Sequence, residues 1–196
     1  MMFIGIYNKT VILTFIGLIF SIIGISSCFY SNTDIAIIFL MLAGICDAFD
    51  GVVASKVNRD KTEIKYGIQL DSLVDIISSG IFPIIILMSM GFCKWYNTII
   101  YCLFAISGVI RLAYFNICCE EDKEYFKGVP ITTSTMVIPF IYIFTKNEIF
   151  LSGAMLLLSI LFLINIRIKK LNFMQRIILT IIGVTLIAFF IIRGLI

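Results

Sequence analysis

A polytopic all-α membrane helix bundle is the fold class this sequence predicts, with about seven transmembrane helices in a range of six to eight. The chain of 196 residues is 61% hydrophobic and only 14% charged, whereas a soluble domain is usually less than half apolar and about a quarter charged. Its apolar residues also gather in runs of the length, roughly 18 residues or more, that crosses a bilayer. Backbone N–H and C=O groups in hydrocarbon must be paired within the structure, which leaves helices or a closed barrel. Runs without strict alternation exclude the barrel.

The elements follow in order. Residues 1–8 are mixed and aromatic, and read as an interfacial turn. Apolar runs then fall at about 10–29, 34–54, 67–92, 95–117, 130–145, 148–166 and 173–193. The first is too long for a signal-peptide core and lacks a small-residue cleavage site, so it is expected to be a permanent helix. The fifth carries Pro130, Pro139 and a Thr-Thr-Ser-Thr cluster, and is the least regular. No repeat, low-complexity tract or linker divides the runs, so residues 1–196 are read as one domain.

Basic residues orient the bundle. With the N-terminus inside, the inward positions hold Lys9, Lys56, Arg59, Lys61, Lys65, Lys123, Lys127, Arg167, Lys169, Lys170 and Arg176. The outward ones hold only Lys94, Lys146 and Arg193. That asymmetry follows the positive-inside rule, and the inward cations also suit anionic membrane lipids. The distribution says more than the net charge of +3. The six cysteines form no C-x-x-C pair, and there is no histidine to complete a zinc site; in apolar runs such cysteines act as small hydrophobes.

The acids carry the chemistry. Asp47, Asp50, Asp71 and Asp75 lie inside apolar runs, while the other acids lie in or beside expected loops. An ionised carboxylate at the centre of a membrane helix costs at least about 2.5–3.5 kcal/mol, and persists where it is paired, hydrated or bound to metal. Asp47 and Asp50 are three apart, Asp71 and Asp75 four apart, so each pair shares a helix face. Both pairs flank the same inward loop, read as 55–66, and an antiparallel hairpin of the second and third helices would set them face to face. Four carboxylates with neither histidine nor thiolate suit hard cations such as Mg²⁺ or Mn²⁺. Gly51, Ala54 and Gly67 would leave room for a bulky ligand beside the acids, or simply permit close helix packing.

The segment Asp47-Ala-Phe-Asp50-Gly51-Val-Val-Ala54 followed by Gly67-x-x-x-Asp71-x-x-x-Asp75 resembles the signature of the CDP-alcohol phosphotransferase family. Further on, Gly108-Val-Ile-Arg111-Leu-Ala-Tyr114-Phe-Asn116 and Tyr125-Phe126-Lys-Gly128-Val-Pro130 resemble that family's phosphatidylserine synthase branch, and the similarity covers about residues 10–176. Ser55 stands where the family has an arginine, the spacer before Gly67 is longer than usual, Tyr114 replaces a second arginine, and Leu13 occupies a common asparagine position.

The resemblance implies a CDP-diacylglycerol–serine O-phosphatidyltransferase, with CDP-diacylglycerol and L-serine as substrates and CMP as leaving group. It implies a two-metal Mg²⁺ or Mn²⁺ site on Asp47, Asp50, Asp71 and Asp75, with Asp75 also the catalytic base. Asp47, Gly51, Ala54, Ser55, Lys56, Gly67 and Asp71 would hold the CDP-lipid, Lys56 standing in for the missing arginine. Arg111, Asn116, Lys127 and Thr132, with Thr133, would face the acceptor. A homodimer in the cytoplasmic membrane of a prokaryote, its active site facing the cytoplasm, is expected, and no nucleic-acid partner. Open alternatives are glycerol phosphate or inositol phosphate as acceptor, an inactive homologue, and a metal-ion or proton-coupled transporter.

Overall fold

The computed structural model describes residues 5–8, 10–55, 57–118, 125–169 and 173–195. Its helices are α1 (Val11–Phe29), α2 (Thr33–Ser55), α3 (Lys61–Asp75), α4 (Phe82–Ser89), α5 (Trp95–Cys118), α6 (Ser134–Phe144), α7 (Glu148–Leu163) and α8 (Phe173–Leu195). A π-helical turn, Ile76–Ile81, fuses α3 and α4 into one rod, Lys61–Ser89. Among the described residues five rods are long and apolar enough to cross a membrane, whereas Ile131–Phe144 and Glu148–Leu163 are shorter. The chain is an all-α polytopic bundle, and the fifth and sixth apolar runs supply its short members.

The third run begins earlier than its hydropathy indicates, at Lys61 rather than near 67. Asp60 caps α3: its carboxylate accepts from the Glu63 backbone N–H at 2.7 Å, and Glu63 accepts from the Asp60 N–H at 3.0 Å. Such a reciprocal box starts a helix irrespective of apolarity, so the polar first turns of α3 replace most of the expected loop. Glu63 also accepts from the Asn8 side chain at 3.4 Å, and Asn8 accepts from the Thr10 backbone and hydroxyl. The starts of α1 and α3 are thereby tied together.

Pro83 explains the break in the long rod. It has no N–H to donate, which frees a carbonyl one turn earlier, and the Ser134 hydroxyl on α6 donates to the Ser79 carbonyl at 2.6 Å. A backbone acceptor inside a membrane bundle needs such a substitute. Packing also departs from a simple hairpin: α2 lies chiefly along α1, α3 meets α1 and α5, and α2 reaches the third rod mainly through the π turn and α4.

The core is a cluster of large apolar side chains from α2, α4, α5, α6, α7 and α8, among them Leu40, Phe82, Phe104, Ile138, Met155 and Phe190. At the end of the bundle away from the four aspartates, Glu148 accepts from Lys94 at 2.9 Å, Tyr96 at 2.6 Å and Asn97 at 2.8 Å, joining α5 to α7. Phe29, Tyr30 and Trp95 are exposed at that end, as in the aromatic belt of a membrane interface. Many other large apolar side chains face outward, notably along α5, α7 and α8, which suits lipid rather than water.

A short β ladder, which the hydropathy pattern does not predict, closes the connections at the aspartate end of the bundle. β1 (Tyr125–Lys127) pairs antiparallel with β2 (Arg167–Lys169) and links the segments after α5 and α7. Gly128 follows at φ +76, with its N–H donating to the Ile166 carbonyl at 2.9 Å. A Cβ there would stand 2.7 Å from the Phe162 carbonyl oxygen, so this turn requires glycine for both conformation and space.

Candidate active site

Asp47 and Asp50 lie in the C-terminal half of α2, and Asp71 and Asp75 in the last turns of α3, immediately before the π turn. All four line one cavity of about 570 Å³. Asp47, Asp71 and Asp75 each offer an oxygen, and these oxygens lie within 4.8 Å of one another. Asp50 sits beside this triad, its carboxyl within reach of Asp71, while the Thr14 hydroxyl on α1 donates to its Oδ2 at 3.5 Å. Asp75 is the most deeply buried, at 7% exposed.

The donor set is all carboxylate oxygen. Crowded like charges in a poorly hydrated setting repel, and a dication between them converts that repulsion into binding. The number, chemistry and mutual approach of these oxygens fit Mg²⁺ or Mn²⁺.

Arg111 enters the same cavity from α5. It is 7% exposed, its guanidinium lies 5.6 Å from the centre of the Phe115 ring, and it is near enough to Asp75 and Asp47 to feel their charge. Among the described residues no ion pair within 4.0 Å joins it to an aspartate, and its Nε is buried without a hydrogen-bond partner. A buried charged donor left unsatisfied is costly, and an anion entering the cavity would relieve that cost. Arg111 can thus receive a carboxylate or phosphate while the four acids face a cation.

Thr132, in the 3₁₀ turn Ile131–Thr133 that precedes α6, lines the cavity with Thr133, and its hydroxyl is within hydrogen-bonding reach of Asp47. Gly51 opens onto the cavity, where an added Cβ would meet nothing within 4 Å. Gly44 also lines the cavity and is required for packing, since a Cβ there would stand 2.1 Å from the Thr135 hydroxyl.

Three expected site residues stand elsewhere. Ala54 and Gly67 do not line the cavity, and a Cβ on Gly67 would face Arg59 at 3.4 Å. Asn116 is also outside the lining, and accepts from the Ser72 hydroxyl at 3.0 Å, bracing α3 against α5. Lys56 lies outside the described residues, as do the side chains of Ser55 and Lys127.

The lining residues not singled out from sequence as site residues include Ser72 and Arg176. Ser72 lies one position after Asp71. Arg176, in the first turn of α8, donates to the Ala48 carbonyl at 3.4 Å. Position among basic residues made Arg176 read as a topology signal; only the approach of α8 to α2 brings it to the cavity.

A profile described as CDP-alcohol phosphatidyltransferase matches residues 8–166. The chain is 34% identical over 122 residues to a CDP-diacylglycerol–serine O-phosphatidyltransferase of Saccharomyces cerevisiae, covering 57% of this chain and 43% of that protein. The protein of the same name from Helicobacter pylori is 33% identical over 162 residues, covering 74% of this chain and 66% of the relative. An archaetidylserine synthase of Methanothermobacter thermautotrophicus is 32% identical over 113 residues, covering 57% of this chain and 48% of that protein. The chain therefore matches between 43% and 66% of the length of these three relatives.

Proposed function

We propose, from the premise that this chain belongs to the CDP-alcohol phosphatidyltransferase family, that it transfers a phosphatidyl group from CDP-diacylglycerol to the hydroxyl of L-serine, releasing CMP. The observation that carries this reading is the meeting of four carboxylates with a buried, incompletely bonded arginine in one cavity. The relatives' names supply its acceptor.

Asp47, Asp50, Asp71 and Asp75 would hold Mg²⁺ or Mn²⁺. When bound, such ions neutralise a diphosphate and the charge that develops on the departing nucleotide. The remaining work falls to side chains. Asp75, deepest of the four and nearest Arg111 with Asp47, accepts the proton of the serine hydroxyl as that oxygen attacks the lipid-side phosphorus. Arg111 binds the serine carboxylate through its unpaired Nε and orients the hydroxyl toward that phosphorus, with Phe115 supporting the guanidinium. Thr132 fixes the rotamer of Asp47. Gly51 leaves space for the cytidine to approach α2. Positioning of this kind supplies much of the rate in phosphoryl transfer.

A phosphorylated acceptor, glycerol phosphate or inositol phosphate, is the second reading, and Arg176 is the observation that favours it. A second guanidinium at the cavity wall would suit an additional phosphate.

The same proposal places the protein in a cytoplasmic membrane with the cavity facing inward, because Arg59, Lys61 and Lys65 mark the aspartate end. It also includes assembly as a homodimer, which the mass of the detergent-solubilised protein tests. The activity is tested with purified protein, CDP-diacylglycerol, Mn²⁺ and labelled serine. Equimolar CMP and labelled lipid is the expected result. CMP release only with a phosphorylated acceptor would move the reading to that acceptor, and neither product across the acceptor panel would overturn it.

A further inference from the structure

We infer that Thr14 is a positioning residue for the carboxylate cluster, holding Asp50 at the edge of the Asp47, Asp71 and Asp75 triad, within reach of Asp71, so that Asp50 serves a second cation rather than crowding the first. The inference rests on the proposed reading of the four acids as cation ligands.

In the middle of an apolar helix a hydroxyl ordinarily bonds to the carbonyl four residues earlier. α1 follows that habit elsewhere: Ser21 donates to Gly17 at 2.9 Å, Ser26 to Ile22 at 2.9 Å and Ser27 to Ile23 at 3.0 Å. Thr14 is the exception, buried at 8% exposure and directed across to Asp50 Oδ2 at 3.5 Å. A second, much smaller cavity of about 10 Å³ adjoins it, lined by Thr14, Ser78 and all four aspartates. The cluster therefore has two faces. Its front opens on the large cavity, and its back rests on hydroxyls from α1 and the π turn.

The oxygens agree with this division. Asp47, Asp71 and Asp75 converge within 4.8 Å, and Asp50 is not of that triad although it reaches Asp71. A donor on one oxygen of Asp50 restricts its rotamer while its carboxyl stays within reach of Asp71 and in the wall of the cavity. Gly17, one turn along α1, allows the necessary approach, since a Cβ there would stand 3.3 Å from Cys46 Cβ on α2. Partners of this kind behind a ligand typically alter metal affinity 10–100-fold.

The test is a Mn²⁺ titration of the purified full-length protein without substrate, followed by the electron paramagnetic resonance of free Mn²⁺. The wild-type protein is expected to bind in two steps. Thr14→Val, which keeps shape but removes the donor, is expected to weaken the second step about 10-fold and leave the first within about twofold. Thr14→Ser restores both. Thr14→Ala, which removes the group altogether, must give the same selective loss, so the outcome does not depend on how valine packs. A wild-type titration curve for Thr14→Val and Thr14→Ala would overturn the inference, as would equal weakening of both steps. Two-step binding in a wild-type protein that makes no phosphatidylserine would defeat the proposed activity and leave Thr14 in its role. A wild-type protein that binds no Mn²⁺ would overturn the cation reading and this inference together.

Discussion

Asp75 and Arg111 are the residues on which chemistry and charge meet, both 7% exposed at the floor of the cavity. Asp75→Asn keeps the shape of the side chain and removes its capacity as a base. Turnover is expected to fall by at least about 100-fold while CDP-diacylglycerol binding stays within about twofold, measured by kinetics beside equilibrium binding. Equal loss of both would reassign Asp75 to cation assembly alone. Two glycines of α2 make a sharper contrast. Gly51→Ala meets open space and gains helix propensity, so thermal stability should hold or rise by about 0.5–1 kcal/mol, while CDP-donor affinity falls as the methyl enters the ligand's space. Gly44→Ala should cost about 1–3 kcal/mol, because its methyl lands on the Thr135 hydroxyl; the two unfolding temperatures separate the cases. At this scale the four aspartates were legible because an acid in an apolar run has few uses, and their i,i+3 and i,i+4 spacing shows a shared face. Thr14 and Arg176 were not, since a lone threonine reads as a back-bonded helix residue and an arginine near a helix start as a topology signal. Both owe their positions to neighbours far away in sequence.

At the scale of elements, the site depends on how α3 begins and how it ends. Its beginning is local and written in sequence as Asp60-x-x-Glu63, though the apolar run alone placed the start too late. Glu63→Ala removes one arm of the capping box and the tie to Asn8. It should destabilise the protein by about 1 kcal/mol, read as a lower unfolding temperature with little change in CDP-donor affinity. The end of α3 is tertiary. The π turn exists because Pro83 withholds a donor and Ser134, on another helix, supplies one. Ser134→Ala should cost about 1–3 kcal/mol by leaving a buried carbonyl unpaired. It should also lower turnover, since the turn it unsettles begins at the residue after Asp75. Such turns are frequent at functional sites, yet hydropathy cannot show one, because an apolar run looks the same wound as α or as π. The β1–β2 ladder was equally illegible: three residues a side carry no periodic signal, and only the positive φ at Gly128 hints at a specific turn.

At the scale of the molecule, hydropathy was enough to give the seven helical rods seen among the described residues, because lipid demands internal backbone pairing and long apolar runs satisfy it. Hydropathy did not give their neighbours: the expected hairpin of α2 on α3 is displaced by α1, and the acids meet across a three-helix junction instead. The proposed orientation makes one direct claim. Cys93 is exposed between α4 and α5, at the end opposite the aspartates, so a membrane-impermeant maleimide should label it from outside in sealed vesicles of native polarity. Labelling only after permeabilisation would invert the topology. The central claim is electrostatic: four carboxylates coexist at a membrane boundary because divalent cations bind among them. Anomalous diffraction at the manganese edge, from crystals grown with Mn²⁺ and a CDP-linked donor, tests that claim most directly. A peak among Asp47, Asp50, Asp71 and Asp75 is the expected result; an ordered cluster with no peak, or manganese bound only elsewhere, would contradict it.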